Sequence, residues 1–142
     1  MIHLATVTPI SGAVWEDLRL LRNMSALSMR DQEEITPEGQ NRFRKQWNWE
    51  TQSAYLFYDG DNPIGFLYLR EEFGETWATY GVHLNYQRRG WGTKLVQLSQ
   101  MLCRRIYIDV LLSNVTARRI YVKTGFRERY RDSTHMYMEW EQ

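Results

Sequence analysis

A basic loop with two glycines joins a predicted strand to a predicted helix in the second half of the chain. The strand spans Thr76 to Leu84, and the helix begins at Gly90. The N-terminus of a helix presents unpaired backbone N–H groups and the positive end of the helix dipole, so it can bind an anion. Gly92 leaves the backbone open to phosphate oxygens, and Arg88 and Arg89 add positive charge. The junction therefore predicts a phosphate site within a strand–loop–helix unit.

Two well-known phosphate-binding loops do not match this junction. Leu95 occupies the position of the third glycine of Gly-x-Gly-x-x-Gly, and Lys94 does not follow the spacing of Gly-x-x-x-x-Gly-Lys-Ser/Thr. Taken alone, a Gly-x-Gly between a strand and a helix is also compatible with a tight turn that binds nothing. The phosphate site therefore needs support from the rest of the chain.

Turn residues and strand-forming residues before the junction predict an antiparallel β-meander. Its strands are predicted at Ala54–Tyr58, Ile64–Arg70 and Thr76–Leu84, with turns at Gly60 and Gly74. A strand–helix–strand unit follows the meander. This succession indicates an α/β chain with a mixed sheet.

Capping residues and helical periodicity predict the helices. A first helix follows Ser11, and a second begins at Thr36 and carries Phe43 and Trp47 on one face. A short later helix is capped by Asn114. The helix at the basic loop is predicted to bury the side chains spaced four, three and four apart, namely Trp91, Leu95, Leu98 and Leu102.

The elements follow the order β-α-α-β-β-β-α-β-α-β-β, an α/β (α+β) arrangement. It opens with a strand at Met1–Val7 and closes with a hairpin of Phe126–Arg131 and His135–Trp140. The chain has 142 residues and no Gly/Ser/Pro-rich linker, so we expect a single domain over residues 1–142.

Charge and composition argue against several classes of protein. The formal net charge is +1, which gives no overall basic field for a nucleic acid or an anionic membrane. No apolar stretch approaches the ~18 residues needed to span a bilayer. The one cysteine, Cys103, and the three histidines show no metal-ligand spacing, so no metal is expected. The N-terminus lacks a signal-peptide pattern, which makes the cytoplasm the expected location.

The chain is rich in aromatic residues, with six Trp and nine Tyr. A heavily aromatic core is the simpler interpretation. An aromatic-lined pocket, or a self-association surface that would make a homodimer, is the alternative.

Two motifs in register resemble one family. The segment from Gln87 to Gly92 resembles the Gln/Arg-x-x-Gly-x-Gly/Ala acyl-CoA signature of the general-control-type N-acetyltransferases, the GNAT superfamily. The segment from Val110 to Phe126 resembles the family block Val-x-x-x-Asn-x-x-Ala-x-x-Leu-Tyr-x-x-x-Gly-Phe. The resemblance covers Ala54 to Trp140. Leu84 departs from it, standing where many members have proline, and Trp91 is larger than the usual residue between the glycines.

The resemblance implies a mixed, mostly antiparallel central sheet flanked by helices. It also implies an acetyl-CoA-dependent N-acetyltransferase in which an amine attacks the thioester directly. The amine is a small molecule or a protein amine. The strand ending at Val82 would splay from its parallel neighbour, and the pantetheine arm would enter that gap. The residues that would hold acetyl-CoA are Val82, Gln87, Arg88, Arg89, Gly90, Trp91, Gly92, Thr93 and Asn114.

Tyr121 matches the family tyrosine that protonates the leaving thiolate. A core tyrosine on a short helix is the alternative. For the group that accepts the proton of the amine, Glu75 is the preferred residue. Glu72, His83 and ordered water alone stay open.

The acceptor amine is not specified by these motifs. The resemblance places its pocket between the first two helices and the last hairpin, near Trp47 and the segment from Asp132 to His135. An amino sugar, a protein N-terminus, an antibiotic amine, a polyamine and a free amino acid are all compatible. A module that binds acyl-CoA without turnover is the alternative function. A nucleic-acid-binding domain that uses the arginine pairs is a third hypothesis, disfavoured by the net charge.

Overall fold

A computed structural model describes residues 2–7, 12–24 and 34–142. Within these residues the strands and helices follow the predicted order, and a short 3-10 turn at Leu84–Tyr86 is added. Ser11, the predicted cap of the first helix, lies outside the described residues. The strands are β1 (Ile2–Thr6), β2 (Gln52–Asp59), β3 (Asn62–Glu72), β4 (Glu75–Val82), β5 (Arg105–Leu111), β6 (Arg127–Arg131) and β7 (His135–Glu141). The helices are α1 (Gly12–Met24), α2 (Pro37–Lys45), α3 (Trp91–Leu102) and α4 (Val115–Lys123).

The strands of the described residues form one seven-stranded sheet in the order β1-β2-β3-β4-β5-β7-β6. Neighbouring strands are antiparallel except for β4 and β5, which are parallel. Within the described part of the chain, β4 and β5 pair at a single position, Trp77 with Tyr107. Beyond that pair the two strands separate. The predicted mixed, mostly antiparallel sheet is confirmed.

Side chains alternate between the two faces of the sheet, and helices cover both faces. On one face Leu67, Ala78 and Ile108 pack in a cluster that includes Leu95 of α3 and Tyr121 of α4. On the other face a second cluster brings α1 against β2 and β3. We call these the cofactor face and the acceptor face, after the sides expected to receive the two substrates.

The second helix is shorter than its apolar spacing predicts. Thr36 accepts a hydrogen bond from the Gly39 N–H at 3.0 Å and caps the helix as expected, but α2 ends at Lys45. Trp47 therefore follows the helix instead of lying on it, and its side chain is 7% exposed. The Trp47 ring lies 5.0 Å from that of Trp15, edge to face. Trp47 is a core residue on the acceptor face, which agrees with the simpler interpretation of the aromatic composition.

The buried face of α3 also differs from the predicted one. Leu95, Val96 and Ser99 are buried, whereas Leu102 is 48% exposed at the C-terminal end of the helix. Spacing alone placed Leu102 with Leu95. The helix stops as the chain turns into β5, and Leu102 is left beyond the edge of the packed surface.

Gly65→Ala is expected to lower the free energy of unfolding by about 1–3 kcal/mol, the usual cost of overpacking. A Cβ atom at Gly65 would lie 2.7 Å from the Gly81 carbonyl oxygen, which is backbone and cannot rotate away. Urea denaturation measures the loss. Gly60→Asn is the control, because Gly60 has a φ of 60°, which asparagine tolerates, and no described atom lies within 4 Å of its added Cβ. Equal unfolding midpoints for Gly65→Ala and the wild type would contradict this packing argument.

Candidate active site

The separation of β4 from β5 opens a cleft on the cofactor face. Its volume is about 270 Å³. It lies between the end of β4, the basic loop, the first turn of α3 and the inner side of α4. The residues that line it are Tyr80, Gly81, Val82, Gln87, Arg88, Gly92, Val96, Asn114, Thr116, Ala117, Ile120 and Tyr121. The structure thus brings together residues from both sequence motifs.

The backbone at the end of β4 directs one amide into this opening. The His83 N–H donates to the Ile64 carbonyl of β3 at 2.6 Å. Successive N–H groups of a strand point to opposite sides, so the Val82 N–H points away from β3, toward β5. The Val82 carbonyl points the same way and accepts a hydrogen bond from Gln87 Nε2 at 3.1 Å. Gln87 therefore ties the basic loop to the strand end.

The basic loop turns sharply into α3. Arg88 has a φ of 63° and Gly90 a φ of 84°, both in the left-handed region. Gly90 is the N-cap, and no side chain of the described residues caps the helix. The first helical bond runs from the Lys94 N–H to the Gly90 carbonyl at 3.1 Å. The preceding amides of the first turn have no helical partner, so they can receive a phosphate group.

Gly92 serves the cleft and the packing of two helices at once. It lines the cleft, and a Cβ atom there would lie 2.9 Å from Ile120 Cδ1 of α4. A larger residue would therefore narrow the cleft and push on α4.

Two other residues of the basic motif, Trp91 and Arg89, contact aromatic rings that do not line the cleft. The Trp91 ring packs 5.7 Å from Phe57, and Lys94 Nζ lies 4.4 Å above it. The Arg89 guanidinium lies 5.7 Å from the Tyr86 ring. The side chains of Arg89, Trp91 and Thr93 are not among those that line the cleft. Their part in holding a phosphate would come from backbone amides or from charge.

Two tyrosines face each other in the cleft, with ring centres 5.9 Å apart. Ser99 Oγ donates to the Val96 carbonyl at 2.6 Å, so the Tyr80 hydroxyl, 2.7 Å from Ser99 Oγ, must be the donor in that pair. The Tyr80 hydroxyl proton is thus already engaged in a hydrogen bond to Ser99. The Tyr121 hydroxyl has no hydrogen-bond partner among the described residues, although the side chain is only 9% exposed. Burial first, and the negative charge of Asp109 second, raise the pKa of Tyr121 well above its ordinary value.

Asn114 begins the helix that carries Tyr121. Its Oδ1 accepts a hydrogen bond from the Ala117 N–H at 3.1 Å, so it caps α4, and it also lines the cleft. The cap fixes the direction of the first turn of α4 and hence of the tyrosine that follows.

The structure does not bring Glu75 to the cleft. Glu75 begins β4, about 23 Å from Val82 at ~3.3 Å per residue. It lies beyond the Trp77–Tyr107 pair, where the strands are joined, and its carboxylate is 3.9 Å from Arg129. Glu72 lies at the same end of the sheet and pairs with Arg70. His83 Nδ1 accepts a hydrogen bond from the Asn85 N–H at 3.0 Å, which stabilises the turn after β4.

A family model described as the acetyltransferase (GNAT) family matches residues 20–126. This chain belongs to the GNAT family. The resemblance carried by the two motifs is thereby confirmed. GNAT proteins are generally acyl-CoA-dependent acetyltransferases, and the cleft joins both GNAT motifs around one opening.

Solved GNAT structures share the fold at low sequence identity. The acetyltransferase of the GNAT family from Streptococcus pneumoniae is 17% identical with a TM-score of 0.76, covering 100% of both chains. The protein yncA from Salmonella typhimurium, solved with its cofactor acetyl-CoA, is 12% identical with a TM-score of 0.77, covering 99% of this chain and 94% of that one. The ribosomal-protein-S18-alanine N-acetyltransferase from Escherichia coli is 15% identical with a TM-score of 0.71, covering 99% and 94%. None of the curated proteins matches the chain significantly by sequence.

Asp109 is the functional candidate that the motifs did not indicate. It lies half-buried on β5 at the open gap, and its negative charge is the second cause, after burial, of the raised pKa of Tyr121. A single acidic residue inside a strand of apolar residues, Ile-Tyr-Ile-Asp-Val, was the available signal.

Among the described residues, no helix combines the length and the apolar character that a membrane crossing requires. Those residues also hold no group of three or more His, Cys, Asp or Glu side chains placed to bind a metal ion.

Proposed function

We propose that this GNAT protein transfers the acetyl group of acetyl-CoA to a primary amine by direct attack. The observation that carries the proposal is the cleft itself. It connects the uncapped N-terminus of α3 to the free hydroxyl of Tyr121 along the open edge of β4. Backbone amides that could bind an anion, the inward-pointing amide of Val82 and a phenol that could donate a proton thus lie along one cleft.

Different residues would bind different parts of the cofactor. The amides of the first turn of α3, from Trp91 to Thr93, would receive the pyrophosphate, with Arg88 and Arg89 supplying positive charge. The pantetheine arm would lie along the free edge of β4. The Val82 N–H would then donate to the thioester carbonyl oxygen, where negative charge develops during attack. Gln87 and Asn114 keep the two sides of the cleft in place through their own hydrogen bonds.

The bond changes are those of a simple acyl transfer. The amine nitrogen forms a bond to the carbonyl carbon, and the carbonyl electron pair moves onto oxygen. When the carbonyl re-forms, the carbon–sulfur bond breaks and sulfur leaves with its electron pair. Tyr121 donates its phenolic proton to that sulfur, and the amine loses one proton. The products are an N-acetylated amine and coenzyme A.

Tyr121 suits the role of the acid because its proton is available. Its pKa is raised, chiefly by burial, so the phenol stays protonated across the physiological range. Tyr80, the other tyrosine of the cleft, gives its proton to Ser99. Tyr121 lines the cleft in which the departing sulfur would lie, so its proton can pass to sulfur as the carbon–sulfur bond breaks.

A thiol-release assay with acetyl-CoA and a panel of primary amines tests the proposal. The panel should include a peptide with an N-terminal alanine, a free amino acid, an amino sugar, an aminoglycoside and a polyamine. Calorimetry with acetyl-CoA is run in parallel. Binding together with amine-dependent release of coenzyme A is the expected result. Binding without release for every amine would favour the non-catalytic module instead.

Substitutions that change the KM for the amine should lie in exposed parts of the acceptor side. The turn from Asp132 to His135 is held by Asp132 Oδ1, which accepts from the Thr134 and His135 N–H groups at 2.9 and 2.7 Å. This turn is exposed, whereas Trp47 is packed in the core. We therefore propose that changes in the turn alter the amine KM, and that changes at Trp47 act mainly on stability.

A further inference from the structure

A groove separate from the cofactor cleft lies on the far side of α4, between that helix and the closing hairpin. Its volume is about 590 Å³, and none of the described residues that line it also lines the cleft. Its floor is apolar and well packed, since Phe126, Met136 and Met138 are 3%, 4% and 1% exposed. On β6, Glu128 and Arg131 lie across from Met138 and Met136 and form one wall, and α4 forms the other.

The outer side of α4 carries an apolar stripe that faces this groove. Val115, Arg118 and Val122 are spaced three and four residues apart, so they lie on one side of the helix. Val115 is 48% exposed and Val122 is 64% exposed. Valine is a weaker helix former than most residues, so helix propensity does not account for two of them on an exposed side. The stripe has the spacing of a coiled-coil seam, which is the pattern expected where a second helix packs alongside.

Positive charge surrounds the apolar surface of the groove. Its described lining residues include four cations, Arg118, Arg119, Lys123 and Arg131, and a single carboxylate, Glu128. That carboxylate is already paired, because Glu128 Oε2 accepts a hydrogen bond from Arg131 Nη2 at 2.9 Å. Arg119 and Lys123 form no ion pair within the described part of the chain. They are four residues apart on α4, and like charges at that spacing repel each other, so an acidic partner would relieve the repulsion.

We infer that this groove binds an acidic amphipathic helix of a partner protein. Apolar side chains of that helix would enter over Met136 and Met138, whose flexible thioethers adapt to different shapes. Its Asp or Glu side chains would meet Arg119 and Lys123. The helix would lie alongside α4, as in other helix-in-groove interfaces. This docking site is independent of the acetyl transfer proposed above, because it uses the side of α4 opposite to Tyr121.

Other occupants fit the groove less well. Two copies of the chain related by a two-fold axis would bring the same patch of each together, so the cations of one α4 would face those of the other. A nucleic acid would pair with the cations, but its phosphate backbone gains nothing from an apolar floor, and the net charge of the chain is only +1. An acidic amphipathic helix complements both the charge and the apolar surface.

Fluorescence anisotropy with a labelled helical peptide tests the inference. The probe has about 14 residues, roughly 21 Å as a helix, with Leu at alternating three- and four-residue spacing and Glu or Gln elsewhere. Two matched peptides replace every Glu by Lys, or every Leu by Ala. The full chain is expected to bind the Glu/Leu peptide at least about tenfold more tightly than either matched peptide. Saturating coenzyme A should leave this binding unchanged, because the cleft is on the other side of α4.

A charge-reversal variant locates the site. In Arg119→Glu/Lys123→Glu the Lys/Leu peptide should bind at least about tenfold more tightly than the Glu/Leu peptide. The matched control is Arg104→Glu/Arg127→Glu, which changes the net charge equally at two exposed residues that do not line the groove, and which should keep the wild-type preference. Val122→Ser tests the apolar stripe and should also weaken the Glu/Leu peptide. Circular dichroism checks that each variant keeps its fold.

Several distinct results would overturn the inference. Equal losses of binding in the two double variants would indicate non-specific charge attraction, and a wild type that binds none of the peptides would eliminate the site. Displacement of the Glu/Leu peptide by coenzyme A would place that peptide at the basic loop. A dimer in light scattering that Val122→Ser dissociates would assign the groove to a second copy. Binding of a single-stranded RNA in place of the peptide, lost in Arg119→Glu/Lys123→Glu, would assign it to a nucleic acid. The thiol-release assay tests the acetyl transfer separately.

Discussion

Tyr121→Phe is expected to lower kcat by about 10²–10⁴-fold, the usual contribution of a general acid. The ring and its packing against Phe126, 5.5 Å away, are kept, and only the hydroxyl is lost. Since that hydroxyl has no hydrogen-bond partner among the described residues, no protein group is left unpaired, and stability should change little. Acetyl-CoA affinity, measured by calorimetry, should be nearly unchanged.

The pH dependence gives a second measure of this prediction. A group whose pKa is raised stays protonated to higher pH, so the wild-type kcat should show no falling limb from Tyr121 up to about pH 10, the ordinary tyrosine pKa. The matched control is Tyr80→Phe, which removes the hydroxyl that donates to Ser99 and should lower kcat less than about tenfold. A Tyr121→Phe protein with wild-type kcat from about pH 6 to about pH 10 would show that solvent protonates the thiolate.

Gly92→Val is expected to weaken acetyl-CoA binding at least tenfold, which corresponds to about 1.4 kcal/mol. The added side chain would occupy space where the backbone of α3 must meet a phosphate. It would also press on Ile120, because even a Cβ atom would lie 2.9 Å from Ile120 Cδ1. Some loss of stability should therefore accompany the loss of affinity.

A compensated pair of variants separates these two effects. Gly92→Ala adds only the Cβ atom, and Ile120→Val removes the Cδ1 atom that it would meet. In Gly92→Ala/Ile120→Val the packing of α3 on α4 should recover in thermal unfolding. Weak acetyl-CoA binding in this double variant would locate the effect at the phosphate, whereas wild-type affinity would attribute the loss to displacement of α4.

The fold could be predicted from the sequence because local signals agreed with one another. The capping Thr36, the turn glycines and the alternating strands each specify a neighbouring element, and the element order follows from them. The two errors arose where packing ends an element. Periodicity continued α2 to Trp47 and kept Leu102 on the buried face of α3, although the chain had already turned toward the next strand.

The cofactor side of the site was readable because its residues lie in two continuous motifs. The amine side was not, because it depends on which residues of separate strands meet. Glu75 is predicted as the base from its place beside the turn before the third strand, but β4 carries it to the end of the sheet away from the cleft. Asp109 becomes a candidate only when the pairing of β4 with β5 is known, since that pairing determines which residues of β5 lie at the gap.

Among the described residues, β4 and β5 have one position of backbone pairing, and this also affects how the molecule opens. One part of the sheet contains β1 to β4, and the other contains β5, β7 and β6. Because one backbone pair joins the two parts, the least protected amides of the sheet should lie along the boundary between β4 and β5. We expect amide hydrogen exchange at Tyr80 and Val82 to be fast relative to the paired centre of β3. A ligand arm that pairs with this edge would slow their exchange and link the two half-sheets into one cooperative unit. The unfolding transition should then become steeper in the presence of cofactor, in addition to the rise in its midpoint that ligand affinity alone produces.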